Sequence, residues 1–294
     1  MSAEQRPLRG MLLLLGSLFF FAALDATAKY LAQRYSVPLL VWARYLVHCL
    51  LMAVFLGPHQ GRRLVATGRP RRQIVRGLLL VGCTGFGIAA LARMPLAETT
   101  AVAFTAPLMV ALLAGPWLGE RLSAGRWLAV LAGFGGVLLI ARPGGAVTVD
   151  GIALALLAAA CYAAYQILTR QLAATEGTVT LVFYTALVGT VAMSLALPFF
   201  WRDIAQVAPG DAWLIAALGV LGGSGHFLLT RAFRHAPAST LSPFIYVQLV
   251  WATVLGAAVF GQWPDWVSAF GMAAIVTCGL WLAVDARRAS RLLT

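Results

Sequence analysis

Asp25 ends an apolar run that begins at Met11, and it is the one acidic residue set well inside a predicted span. Ionisable groups in such runs are costly, by roughly 2.5–3.5 kcal/mol at the centre of a membrane-spanning helix, so they have a partner or a task. Lys29 follows four residues later, on the same helical face. Arg44 enters the next apolar run at a similar depth. Two chemistries fit this trio. In one, a buried Asp25–Arg44 or Asp25–Lys29 salt bridge pins two helices together. In the other, Asp25 takes a solute's amine or a coupling proton, and Arg44 tunes it or receives a carboxylate. A pair that breaks in each cycle would serve both.

A second group is uncharged. Tyr162, Tyr165 and Gln166 share a helical face by their spacing. His226 adjoins Gly222-Gly223-Ser224-Gly225, and Tyr246, Gln248 and Trp251 lie together further on. Such side chains stack and also donate hydrogen bonds, which suits a planar or aromatic metabolite. The plainer expectation is hydrogen bonding between packed helices. A histidine's ordinary titration range suits a proton site, so His226 is expected to be either that or a helix-packing residue, and His48 is a weaker case of the same kind.

No catalytic constellation accompanies these groups: HExxH, GxSxG, paired carboxylates and Cys/His metal spacing are all missing from the sequence. The four cysteines fall inside apolar runs without paired spacing, and Gly85-Phe86-Gly87 follows no strand, so it is no nucleotide loop. Neither a cofactor nor a metal is expected.

The elements that carry these residues are membrane helices. Hydrophobic residues make up 61% and charged residues 11% of 294, far from soluble proportions. Ten apolar stretches, near 11–31, 37–57, 74–92, 99–118, 126–142, 151–171, 179–199, 212–231, 239–260 and 266–285, are separated by short breaks rich in charge, Pro and Gly. The first run is a span rather than a signal peptide, lacking a clear cleavage site. Pro107 predicts a kink in the fourth span. The net charge of +12 suggests nucleic acid, but its distribution does not. If the N-terminus is cytoplasmic, sixteen of the 22 Lys and Arg lie on that side and five on the other, with Arg44 inside a span. That asymmetry orients the chain with both termini cytoplasmic and its basic face toward anionic lipid. Residues 1–9 and 286–294 read as short cytoplasmic tails.

Residues 10–52 align without gaps on 151–193, with Gly10 on Gly151, Leu31-Ala32 on Leu172-Ala173 and Met52 on Met193. Further on, Pro95 falls on Pro237, Phe104 on Tyr246 and Gly119 on Gly261. The constant offset of 141–142 residues defines two units, 10–142 and 151–285, of five spans each. An odd number of spans inserts the second unit upside down, the inverted-repeat architecture of transporters, with solute bound near the midplane. The counterparts of Asp25 and Arg44 are Gln166 and Thr185, so charge lies in one half only.

Taken together, Asp25-Ala26-Thr27-Ala28-Lys29, Trp42-Ala43-Arg44-Tyr45, Pro95-Leu96-Ala97-Glu98-Thr99-Thr100-Ala101, Gly119-Glu120-Arg121-Leu122 and Gly133-Phe134-Gly135-Gly136-Val137 resemble the drug/metabolite transporter superfamily, in its EamA-type ten-span branch. Gly261-Gln262 departs from the Gly-Glu common in that branch. The resemblance implies an all-α integral membrane fold of ten transmembrane helices in two inverted five-helix repeats. It further implies a bacterial-type inner membrane and alternating access around a cavity lined by spans 1, 3, 4, 6, 8 and 9. Phe104 joins the candidate residues there, and Glu120 reads as a surface ion pair or a cytoplasmic gate. The expected partners are a small-molecule substrate, membrane lipid and a coupling proton, with no nucleic acid. Members export amino acids or import S-adenosylmethionine or riboflavin. A membrane-embedded enzyme acting on lipid is the competing class, disfavoured by nearly bare outer loops. A structural protein and a channel are further readings, and both fit less well.

Overall fold

The computed structural model describes residues 7–118, 123–142, 147–173, 175–201, 206–236 and 241–291, and among these residues it contains helices and turns without strands. In the first half lie α1 (Pro7–Leu31), α2 (Val37–Gln60), α3 (Pro70–Leu91), α4 (Leu96–Ala103), α5 (Ala106–Leu118) and α6 (Ala124–Ile140). In the second lie α7 (Val149–Ala173), α8 (Thr178–Ala196), α9 (Pro209–His235), α10 (Val247–Phe260) and α11 (Trp266–Arg291). Eight stretches are long and apolar enough to cross a bilayer, and the shorter apolar helices Ala124–Ile140 and Phe244–Phe260 bring the described spans to ten. α11 continues past the expected end of the last span, to Arg291.

Local chemistry sets the helix ends. Pro38, Pro70 and Pro209 each stand in a first turn, where a missing N–H and a fixed φ are harmless. The Ser123 side chain accepts from the Arg126 backbone N–H at 3.3 Å and caps α6. Gly261, at φ 66°, lets the chain turn back so that its N–H reaches the Ala257 carbonyl at 3.0 Å and closes α10.

The fourth span is broken rather than kinked. α4 stops at Ala103, Phe104 and Thr105 form a turn, and α5 resumes at Ala106. Pro107 has no N–H to give the Ala103 carbonyl, so the ladder fails one turn before the proline. Thr105 compensates locally, its hydroxyl donating to the Val102 carbonyl at 2.7 Å. The ninth span has a matching interruption, with the tight turn Ser242–Tyr246 leading into α10.

The helices pack in pairs that swap when the halves are exchanged. α1 lies along α9, and α7 along α3; α2 packs on α9, and α8 on α3; α1 meets α10, while α7 meets α4 and α5. This is the neighbour pattern of an internal two-fold. α6 and α11 pair separately, so tightly that a Cβ on Gly136 would sit 2.6 Å from the Gly271 carbonyl oxygen. Only glycine fits there.

Loop contacts sort the two faces. On one face Arg34 pairs with Asp211 at 3.2 Å, Arg93 with Asp150 at 2.7 Å and Arg142 with Asp265 at 2.9 Å. These pairs join the ends of spans 1, 3, 5, 6, 8 and 10, which ten alternating crossings require to share a side. On the other, basic face Glu176 accepts from the Gly68 N–H at 3.1 Å, and Arg126 pairs with Asp285 at 2.8 Å. In each of these four ion pairs the arginine comes from the first half and the aspartate from the second.

Candidate solute site

α1, α2, α9 and α10 bring the charged candidates together. Phe21 and Asp25 lie one turn apart on α1, Arg44 and His48 one turn apart on α2, and Gly222 and His226 one turn apart on α9. The two imidazoles of His48 and His226 stack at 5.9 Å with planes 10° apart, and Phe21 meets His226 edge-on at 5.0 Å. Gly222 packs beside Arg44, whose Nε would stand at an ordinary contact distance of 3.8 Å from a Cβ there. Arg44 is within electrostatic reach of Asp25, His48 and His226, which makes it the hub of the group.

Neither salt bridge expected for Asp25 is formed among the described residues, whose ion pairs within 4.0 Å are other ones. Lys29, 5% exposed, donates instead to the carbonyls of Leu91 at 2.8 Å and Met94 at 2.6 Å. Its ammonium caps the carboxyl end of α3, where helix carbonyls lack partners and the dipole is negative. The Phe260 ring lies 5.5 Å away. Asp25 accepts a long hydrogen bond, 3.4 Å, from Gln248 of α10.

One turn beyond Gln248, Trp251 meets Phe19 edge-on at 5.2 Å, and its indole N–H is buried without a partner. Phe104 and Tyr246 touch at 5.1 Å across the interrupted fourth and ninth spans. Tyr162 and Tyr165 of α7 stack at 5.9 Å, with Gln166 half-buried beside them. Tyr165 does not join the Asp25 group but turns to Arg76 of α3. The uncharged group of the sequence is thus divided: His226, Gln248 and Trp251 lie with Asp25 and Arg44, while Tyr165 lies at Arg76.

Three buried groups escaped the sequence. Arg76 was counted with the loop charges and is 1% exposed; Gln73, 0% exposed, precedes it by three residues. Glu98, placed before the fourth span, is 2% exposed in the first turn of α4. Their signal was faint but present: all three lie within three residues of a predicted span edge. Glu120 lies outside the described residues. An open cleft of about 600 Å³ runs between Ala66–Arg69 and Thr175–Gly177. It is built from loops and holds none of the predicted residues.

Paired interrupted helices around a buried charge group are a carrier's arrangement. The EamA-like transporter family model matches the chain twice, over residues 8–142 and 149–284. The chain belongs to the EamA-like transporter family. Its relatives are named as transporters. The S-adenosylmethionine uptake transporter of Rickettsia bellii is 27% identical, covering 93% of this chain and 92% of its own length. The pseudopaline exporter CntI of Pseudomonas aeruginosa is 29% identical, over 92% of this chain and 94% of its own. The riboflavin transporter of Vibrio cholerae is 28% identical, over 94% and 93%. A solved crystal structure, 23% identical, superposes with a TM-score of 0.62 over 95% of this chain and 98% of the other. This EamA-like chain is thus a multi-pass membrane transporter of a small molecule rather than an enzyme.

Proposed function

We propose that this chain is a secondary carrier for a small nitrogen-bearing organic solute, zwitterionic, cationic or aromatic, and that the Arg44 group binds it. The observation that carries the reading is the state of Asp25. Its carboxylate faces neither Lys29 nor Arg44 as an ion-pair partner and keeps one long bond to Gln248, in a place where an unpaired charge is costly. A solute amine supplies the missing cation. Gln248, the unpaired Trp251 N–H and the Phe21–His226–His48 stack supply hydrogen bonds and a flat aromatic wall.

Movement follows from the repeats. Residues 10–142 and 151–285 act as two inverted bodies that rock about the Phe104–Tyr246 contact, and the solute is exposed to each face in turn. The basic face is cytoplasmic, as are both termini, in a bacterial inner membrane. Asp25, and after it His226, takes any coupling proton. Relatives are named for S-adenosylmethionine, pseudopaline and riboflavin, all small organic solutes, and amino acids fit the same site chemistry.

The test is a thermal-stability screen of the purified protein against metabolites, run beside Asp25→Asn, followed by flux in sealed vesicles. A ligand at 100 times its Kd adds about 2.7 kcal/mol. One chemical class that shifts the wild type and leaves the variant unmoved supports the site. Equal responses in both proteins remove Asp25 from it, and the absence of gradient-dependent flux for every solute tested removes the carrier reading.

A further inference from the structure

Arg76 is a fully buried cation with no acidic partner among the described residues. Four of its N–H groups are held by neutral acceptors on the other repeat. Nη1 donates to the hydroxyls of Tyr165 and Thr169, each at 3.2 Å, and Nη2 to the Thr185 hydroxyl at 2.8 Å and to the Leu181 carbonyl. The two threonine hydroxyls spend their own protons on carbonyls of their helices, at 2.7 and 3.0 Å, so they face Arg76 as pure acceptors. Hydrogen bonds are supplied in this way, but charge is not.

What is left over is mostly donor, the Gln73 carbonyl oxygen being the exception. Arg76 Nε–H has no acceptor, and the Gln73 amide, one turn earlier on the same face, has no partner at either atom. The Tyr165 hydroxyl, accepting from Arg76, still has its proton to give. Three donors around an uncompensated positive charge describe the complement of an anion. Thr185 is moreover the repeat counterpart of Arg44, so the patch lies where the two-fold carries the Asp25 group. Tyr162, stacked on Tyr165 and 39% exposed although in mid-helix, offers a ring face beside it.

We infer that Gln73, Arg76 and Tyr165 form a second subsite, toward the basic face, that takes the carboxylate of a small organic solute. The inference rests on the carrier reading only in treating that carboxylate as part of the cargo; anion binding itself is measured without transport. As α3 and α8 part, Arg76 exchanges Thr185 and the Leu181 carbonyl for the carboxylate, with Gln73 and Tyr165 donating to its second oxygen. A solute with both an amine and a carboxylate then has two subsites, one around Asp25 and one around Arg76, each built between the repeats.

The probe is sodium benzoate, with benzamide as its uncharged match and sodium chloride at equal ionic strength, read as the thermal midpoint of the purified full chain. Benzoate is expected to raise the wild-type midpoint where benzamide and chloride do not. Arg76→Gln should lose the response. Because that variant also breaks four hydrogen bonds, Gln73→Leu is the decisive one. Gln73 makes no bond to lose, so the variant should be at least as stable as wild type and yet lose the benzoate shift. No benzoate shift in wild type, an equal shift from benzamide, or a full shift in Gln73→Leu each overturns the subsite. A shift from inorganic phosphate alone overturns its assignment to carboxylate. Flux failing in Asp25→Asn, or in wild type, leaves these binding outcomes as they are, so the two proposals fail separately.

Discussion

Phe104 and Tyr246 occupy equivalent places in the two repeats, 142 residues apart, and their rings touch at 5.1 Å. Each stands where its helix is interrupted, Phe104 just after α4 and Tyr246 just before α10. Equivalent residues meet each other only on the axis relating the repeats. The contact marks that axis, and it is made where each helix changes over: Phe104 caps α4 with its N–H still on the Thr100 carbonyl at 3.1 Å, and Tyr246 ends the tight turn before α10.

A double-mutant cycle on this pair should give a coupling of about 0.5–1.5 kcal/mol, the usual scale for a tilted aromatic contact. Phe104→Leu and Tyr246→Leu, unfolded thermally alone and together, measure it. Flux should fall further than this small stability change implies, since the contact sits at the pivot. Coupling near zero would show that the rings are neighbours without mutual dependence.

Asp25→Asn should leave the fold intact or make it more stable, because the carboxylate has a single long bond to lose and its burial is costly. Transport should fall sharply in the same variant. A large drop in unfolding midpoint would mean that Asp25 is a packing residue.

Lys29→Met should destabilise the chain by about 1.5–3 kcal/mol, the range for hydrogen bonds to a charged group. Two carbonyls at the end of α3 lose their donor, and methionine keeps the bulk. Thermal unfolding in detergent reads the loss, and a midpoint equal to wild type would show that water serves those carbonyls as well.

Acid should loosen the Arg142–Asp265 clasp. Asp265, outside the spans, is held below the ordinary carboxylate range first by the Ser268 N–H and then by Arg142. A depressed folded-state pKa contributes stability above the unfolded value of about 3.9, lost as pH falls through the lower folded value. Between about pH 5 and pH 3 the wild-type midpoint should therefore drop slightly more than that of Asp265→Asn. The pair is exposed, so the difference is small. Parallel curves would mean that the clasp contributes nothing.

The ten spans were legible because lipid demands long apolar runs, and the repeat because its offset is constant. Side-chain direction was not legible. A helix such as α1 is apolar on nearly every face, so nothing in its pattern says that Lys29 turns to α3 while Asp25 meets α10. Arg76 was read as a loop charge because its place, near the start of a span beside Arg71 and Arg72, is where anchoring charges belong; only the packing of α7 and α8 against α3 encloses it. Pro107 announced a disturbance, but the backbone yields one turn earlier, where the missing N–H is felt. Glu98 was hidden by Pro95, which made its segment read as a loop.

The four interhalf ion pairs have a consequence for how the molecule is assembled. Each sets an arginine of the first half against an aspartate of the second. The repeat offset puts Arg9, Pro70, Ser123 and Pro143 where the second half has Asp150, Asp211, Asp265 and Asp285, so two copies of the first half about the same axis would leave all four arginines without a carboxylate. The halves are thus complementary in charge at these places, and the pairs favour one half of each kind over two of the same.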